Sequence, residues 1–208
     1  PESLVSNKSV KIFNDYKYLY NSDLIPKESI TQNHQEALEK YMSGQIAFIQ
    51  SGANFLNIVK ENAPQVFKDT DVSKQLTGDN GKYDVSVMNL IIPQRAKNKE
   101  AALRFALFLT NKNNQVELAK LTTILPVNNA SLKDPYFNQY NNNDTISKAR
   151  YLSAQQLNNL QKQVKFKNNR KEIITLLNTA VQQIILSKTD TKTLLENTAK
   201  NWKRLEDQ

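Results

Sequence analysis

Residues 90–137, LIIPQRAKNKEAALRFALFLTNKNNQVELAKLTTILPVNNASLKDPYF, carry the clearest pattern in the chain. The apolar run Leu90–Ile92 is stopped by a proline, which is typical of a strand that leaves a sheet. The pattern next predicts an amphipathic helix capped by Asn98 and a second helix that starts at Asn111 or Asn113. The side chains predicted to be buried are Ala102, Phe105, Ala106 and Leu109 in the first helix and Val116, Leu118, Ala119 and Leu121 in the second. The segment therefore predicts a strand, two packed helices and a Leu-Pro-Val bend.

Further elements are predicted upstream of this segment. Asn33 with Glu36 is a capping pattern for a helix that ends near Gly44. The range 45–50 predicts a short strand that is buried on both faces, because its apolar residues do not alternate with polar ones. The range 83–92 is the longest strand candidate.

Two helices are predicted at the end of the chain, joined by a short polar turn at residues 187–190. Either Thr189 or Asp190 is the expected N-cap of the second helix. Their apolar stripes are Ile173, Leu177, Val181, Ile184 and Ile185, and then Leu194, Leu195, Thr198, Trp202 and Leu205. This spacing predicts a packed helical pair.

The order of these elements resembles the family 1 extracellular solute-binding proteins of ABC importers, the sugar-binding type related to maltose-binding protein. The resemblance rests on the strand, Ile-Pro, helix, Asn-rich turn, helix and Leu-Pro-Val order of residues 90–137. It extends upstream to ALEKYMSGQIAFIQSG at 37–52 and downstream to 173–202. It implies a helix-rich α/β fold of the periplasmic-binding-protein type II kind, mainly the C-terminal lobe with a crossover segment of the N-terminal lobe.

The resemblance also implies a division of the chain. Residues 1–87 would form the first part of the C-terminal lobe, 88–126 would belong to the N-terminal lobe, and 127–208 would supply the closing helices. The body of the N-terminal lobe and any signal segment would be absent, so we expect a C-terminal piece of a longer protein. The strand at 85–92 would then lack its sheet, and we expect it to pair with another copy, to rearrange, or to be supported by the first lobe.

Composition argues against several kinds of chemistry. The 208 residues include no cysteine, one histidine and four glycines. These numbers disfavour thiol chemistry, a histidine-based triad or metal cluster, and a glycine-rich phosphate loop. We therefore expect neither an enzyme nor a cofactor or metal.

The formal charge of +8 has two interpretations. The densest basic cluster surrounds Phe166 and comprises Lys162, Lys165, Lys167, Arg170 and Lys171. It is either a solvated face leading into the last helices or a surface for an anionic ligand or partner. The alternative to a solute-binding protein is thus a basic helical module for an anionic polymer or protein. No nucleic-acid-binding fold is recognisable, so nucleic acid is not an expected partner.

The resemblance implies three ligand-contact regions. The first is the turn comprising Gln50, Ser51, Gly52, Asn54 and Phe55, whose backbone N–H groups can meet a ligand oxygen. Many family members have a tryptophan two residues after the glycine, where this chain has Asn54. Phe55 is then either a stacking ring or a core residue of the next helix.

The other two contact regions are residues 88–89 and residues 169–170. Met88 and Asn89 stand where the family has small residues, and a buried Asn89 would need a backbone or ligand partner. Asn169 and Arg170 precede the penultimate helix. Arg170 either binds an anionic group or is solvated at the helix start.

The function implied by the resemblance is capture of a sugar or polyol between two lobes, followed by delivery to an ABC permease in the membrane. Aromatic rings and fixed polar groups suit sugars. The expected location is extracytoplasmic, in the periplasm or lipid-anchored at the outer face of the membrane. Because the chain would hold only part of the cleft, we expect it to bind sugar weakly or not at all by itself.

Overall fold

The computed structural model describes residues 1–161 and 166–208, and the predicted richness in helix is confirmed. The α-helices of the described residues are α1 (Asn7–Asn21), α2 (His34–Met42), α3 (Phe55–Asn62), α4 (Pro64–Lys68), α5 (Lys99–Leu109), α6 (Lys112–Thr122), α7 (Pro135–Asn138), α8 (Thr145–Gln156), α9 (Arg170–Leu186) and α10 (Thr191–Glu206). Short 3-10 helices span Glu2–Val5, Lys27–Ile30, Ser131–Lys133 and Leu157–Asn159. None of these helices combines the length and the apolar character that crossing a bilayer requires.

The predicted strands are not formed in the described residues. Their only pairing is one isolated parallel bridge between Tyr83 and Leu160, in which the Tyr83 N–H donates to the Asn159 carbonyl at 3.0 Å. Phe48, in the segment predicted to be buried on both faces, is 92% exposed. A strand is stable only when a neighbouring backbone satisfies its N–H and C=O groups. Among the described residues, no backbone pairs as a strand with the segments at 45–50 and 84–92.

The chain divides into two compact units, the first comprising Pro1–Ala37 and Val164–Gln208. Its helices α1, α9 and α10 pack on one another, which confirms the predicted closing pair. The Thr191 hydroxyl donates to Asn14 Oδ1 at 2.6 Å, and Lys17 Nζ donates to the Ser187 carbonyl at 2.8 Å. The buried apolar residues of this unit are Ile173, Ala180, Ile184, Ile185 and Leu195.

Two predicted helix starts are confirmed by hydrogen bonds of residues in this unit. The side chain of Asn33 accepts from the Gln35 and Glu36 N–H groups, while Glu36 Oε2 accepts from the Asn33 N–H at 2.7 Å. Asp190 Oδ2 accepts from the Thr193 N–H at 3.0 Å at the start of α10. That backbone hydrogen bond is the main cause of the lowered pKa of Asp190.

The second unit comprises Leu38–Gln163. Its hydrophobic core joins α6, α7 and α8. The core residues are Val116, Ala119, Phe137 and Ala154, packed against Leu125, Leu132 and Tyr136. Ser131 is fully buried and donates to the Lys112 carbonyl at 3.0 Å, so the 3-10 helix that follows the Leu-Pro-Val bend is tied to the start of α6.

The predicted face of α5 is only partly covered. Ala102, Ala106 and Leu109 are half-buried, but Phe105 is 61% exposed and no residue of α5 is buried. In α6, Val116 and Ala119 are buried as predicted, but Leu121 is 83% exposed. The large exposed side chains of the segment 87–108 are Val87, Met88, Leu90, Ile91, Ile92, Leu103, Phe105, Leu107 and Phe108. We call this set the exposed apolar segment.

Candidate functional site

The first predicted contact region is a turn that leads into α3. The Phe55 N–H donates to the Gly52 carbonyl at 3.0 Å, and the Leu56 N–H donates to Ala53 at 3.2 Å. A Cβ at Gly52 would lie 2.6 Å from Asn54 Oδ1. Such a distance is far inside van der Waals contact, so glycine allows the amide of Asn54 to fold back over the turn.

Asn54 occupies the N-cap position of α3 with an exposed side chain. Its amide makes no side-chain capping hydrogen bond, unlike the typical asparagine at this position. Phe55 is half-buried as the first residue of α3, while Leu56 and Val59 supply the buried face of that helix. The turn therefore presents a polar amide at its tip and a partly exposed ring beside it.

The second predicted region is fully exposed. Met88 and Asn89 both lie on the surface, Met88 as a member of the exposed apolar segment and Asn89 next to it. The expectation that Asn89 is a buried amide in an apolar strand is therefore wrong. The physical reason is that the strand has not formed, so no sheet covers it.

The third predicted region lies at the start of α9. Asn169 adopts a left-handed backbone with φ 50° and donates through Nδ2 to the Leu205 carbonyl at 2.7 Å. This bond anchors the entry of α9 to the end of α10. Arg170 is exposed, and its guanidinium lies 5.9 Å from the centre of the Phe166 ring.

An aromatic pair supports this helix start. Phe166 stacks on Trp202 with 5.6 Å between ring centres and 25° between ring planes. Within the described residues, Trp202 Nε1 is a buried donor that has no hydrogen-bond acceptor. The apolar stripe predicted for the last helix includes Trp202, but the sequence did not predict that Trp202 pairs with Phe166. Of the predicted basic cluster, Lys162 and Lys165 lie outside the described residues, and Lys167 and Lys171 are exposed.

The three regions fall in different parts of the molecule. The turn at 50–55 and residues 88–89 belong to the second unit, and residues 169–170 belong to the first. What they share is exposed amide, hydroxyl and guanidinium groups, which bind neutral or anionic oxygen atoms. No group of three or more metal-ligating side chains occurs among the residues that the structure describes.

Comparison with known proteins gives a family and two similar solved structures. Residues 6–116 match the family described as bacterial extracellular solute-binding protein. No curated protein matches the sequence. A solved structure assigned as an oligosaccharide periplasmic-binding protein of Synechococcus sp. MITs9220 is 30% identical, with a TM-score of 0.86. The zinc complex of such a protein from the same organism is 29% identical, with a TM-score of 0.84.

These alignments cover 98% of this chain but only 53% and 52% of the two solved chains. The chain thus spans about half the length of the solved relatives that it matches.

Proposed function

Because the chain belongs to the bacterial extracellular solute-binding protein family, we propose that it is part of the solute-binding component of an ABC importer. In this proposal the protein captures a carbohydrate in a cleft between two lobes and delivers it to a membrane permease. The observation that carries the proposal is the likeness, over nearly the whole chain, to a structure assigned as an oligosaccharide periplasmic-binding protein. Closure of two lobes about a hinge is the corresponding mechanism.

The proposed location is outside the cytoplasm, in the periplasm or at the outer face of the membrane. It is supported by the extracellular assignment of the family and by the periplasmic assignment of the solved relatives. The family consists of binding proteins, so the proposed activity is binding without turnover.

Within the cleft, we assign the contacts to the turn at 50–55, residues 88–89 and residues 169–170. The exposed amide of Asn54 would meet ligand hydroxyl groups, and the half-buried ring of Phe55 would pack on a sugar face. Asn54 replaces the ring that many family members carry there, which favours a small or strongly polar carbohydrate. Arg170 would add a charge-assisted bond to an anionic substituent.

The exposed apolar segment supports a further part of the proposal, that residues 88–126 belong to the other lobe of a protein of the relatives' length. Monomeric soluble proteins rarely leave a large apolar patch uncovered. The solved relatives have about as much chain again, which is enough polypeptide to supply a sheet and a second lobe.

A chimera tests this function. The part of the Synechococcus chain that the alignment does not cover is joined to the present chain, and folding is checked by circular dichroism. We expect a thermal shift with one neutral oligosaccharide that is insensitive to salt, whereas the present chain alone shows none. A folded chimera that binds no carbohydrate at 10 mM would contradict the proposal, as would shifts only with polyanions that fade in salt.

A further inference from the structure

A depression of about 520 Å³ lies on the second unit, where α7, the loop 139–144 and α8 meet. It is shallow and open to solvent, so a ligand would lie on its surface without being enclosed. The residues that matter to its chemistry are Tyr136, Gln139, Tyr140, Asn141, Ser147 and Arg150.

Arg150 forms the charged part of this depression. Its Nε donates to the Tyr136 carbonyl at 2.6 Å, and its Nη2 donates to the Gln139 carbonyl at 3.4 Å. The guanidinium carbon lies 3.8 Å from the centre of the Tyr136 ring, so the ring and the guanidinium stack. Two of the five N–H groups are thereby used, and no carboxylate of the described residues forms an ion pair with Arg150.

Tyr140 forms the aromatic part. Its ring packs on Tyr151, with 4.8 Å between ring centres and 32° between planes. Tyr140 nevertheless remains 42% exposed and lines the depression. A ring that is supported on one side and open on the other is a preformed stacking surface, since little conformational freedom is lost when a ligand covers it.

The remaining lining groups are neutral and polar. Ser147 is buried and fixes the loop, because its hydroxyl accepts from the Asn141 N–H at 3.0 Å and donates to the Asp144 carbonyl at 2.9 Å. The amides of Gln139 and Asn141 are exposed at the rim. The nearby carboxylates of Asp134 and Asp144 cap α7 and α8 and are absent from the lining.

We propose that this depression binds a saccharide that carries a carboxylate, such as a uronic acid. The apolar C–H face of the sugar ring stacks on Tyr140, the carboxylate meets the open edge of the Arg150 guanidinium, and the amides at the rim bind hydroxyl groups. The site lies wholly within one unit, so it needs no second lobe. It is separate from the contacts assigned to the cleft.

The test is isothermal titration calorimetry of the 208-residue chain with galacturonate and, as the neutral analogue, galactose, at low ionic strength. We expect galacturonate to bind with a Kd of about 1 mM and galactose at least about ten-fold more weakly. Tyr140→Ala should weaken galacturonate binding at least about ten-fold. Tyr18→Ala, which removes an exposed ring of α1 in the other unit, should leave it unchanged.

Arg150→Lys should weaken galacturonate binding, because lysine lacks the planar edge that meets the carboxylate. The comparison requires that the thermal melt of this variant match that of the unsubstituted chain, because Arg150 also donates to the Tyr136 and Gln139 carbonyls. Absence of heat with 20 mM galacturonate, equal affinity for galactose, or an unchanged Tyr140→Ala variant would each overturn the proposal. Asn54→Ala should not alter this binding, whereas it should weaken carbohydrate binding by the chimera. A negative result for the depression would therefore leave the proposed cleft untouched, and the reverse also holds.

Discussion

The side chain of Gln115 bonds to the backbone of Val127, accepting from its N–H through Oε1 at 3.0 Å. The same side chain donates through Nε2 to the Leu109 carbonyl at 2.9 Å. Gln115 is buried, so one amide joins the end of α5 to the Leu-Pro-Val bend. A buried amide in the first turn of α6 therefore connects the end of α5 to the bend that follows α6.

Gln115→Leu should lower the free energy of unfolding by about 1 kcal/mol, because it removes the hydrogen bonds to the part-buried Val127 N–H and Leu109 C=O. Urea denaturation measures this change. The matched control is Asn113→Ala on the exposed side of α6, which should change stability by less than about 0.5 kcal/mol. Equal effects of the two substitutions would contradict the connecting role.

Two asparagines at helix starts should differ in their contribution. Asn111 Oδ1 accepts from the Asn114 N–H at 2.9 Å, whereas Asn98 makes no side-chain capping bond. Asn111→Ala should therefore cost about 1 kcal/mol of stability. Asn98→Ala should cost clearly less, and the same urea experiment on both variants decides.

Gly52→Ala should displace the side chain of Asn54 without unfolding the protein. The new Cβ would lie 2.6 Å from Asn54 Oδ1, which is the mobile end of a side chain. We expect a shift of the Asn54 amide signals in a ¹⁵N NMR spectrum. A loss of stability below about 0.5 kcal/mol is expected, as for other surface changes.

Gly78→Ala is the control, because an added Cβ meets nothing within 4 Å there. In the chimera, Gly52→Ala should weaken carbohydrate binding and Gly78→Ala should not. If neither substitution affected binding, the turn at 50–55 would have no place in the site.

The exposed apolar segment should make the isolated chain self-associate. Light scattering coupled to size-exclusion chromatography is expected to give a mass above that of the monomer, because burying apolar surface between copies is favourable. Ile91→Lys with Phe105→Lys should restore the monomer. Phe48→Lys with Leu76→Lys, which changes equally exposed apolar residues outside the segment, should not. A clean monomer of the unsubstituted chain would refute this prediction.

The ion pair between Lys148 and Asp71 should make stability depend on acid pH. Lys148 Nζ donates to Asp71 Oδ1 at 2.6 Å, and this hydrogen bond is the main cause of the lowered pKa of Asp71. Because the folded pKa lies below the unfolded one, the stabilisation is fully present above the unfolded pKa and is lost as pH falls through the folded pKa. Asp71→Asn should thus be less stable than the unsubstituted chain at pH 7, and the difference should vanish once the pH lies below the folded pKa of Asp71. A difference independent of pH in urea titrations would contradict the assignment.

Helix caps and turns were predictable from the sequence, because they depend on interactions between residues that are close along the chain. The reciprocal cap of Asn33 with Glu36, the caps at Asn111 and Asp190, and the αL glycine at Gly44 all involve atoms a few residues apart. The stripe of α9 was equally readable, because its period places Ile173 and Ile184 on one buried face. The order of such elements was enough to indicate the family.

The strands and the buried face of α5 were not predictable in the same way. Whether residues 83–92 form a strand depends on a neighbouring backbone, and whether Phe105 is buried depends on another surface that covers it. An apolar run indicates only that burial of its side chains is favourable, and not which surface buries them. The candidate depression was also hidden in the sequence, because Tyr140 and Arg150 belong to a loop and a helix that meet only after folding.

The sequence by itself therefore determined the family, the helices α2, α5, α6, α9 and α10 and most of their caps, since these depend on short-range hydrogen bonds and on periodic apolar spacing. Only the tertiary structure decided which apolar residues are covered, how Gln115 and Asn169 connect distant backbone segments, and where aromatic and charged groups converge. The physical reason is that burial and long-range hydrogen bonding depend on partners that lie far away along the chain, and one local pattern is compatible with several of them.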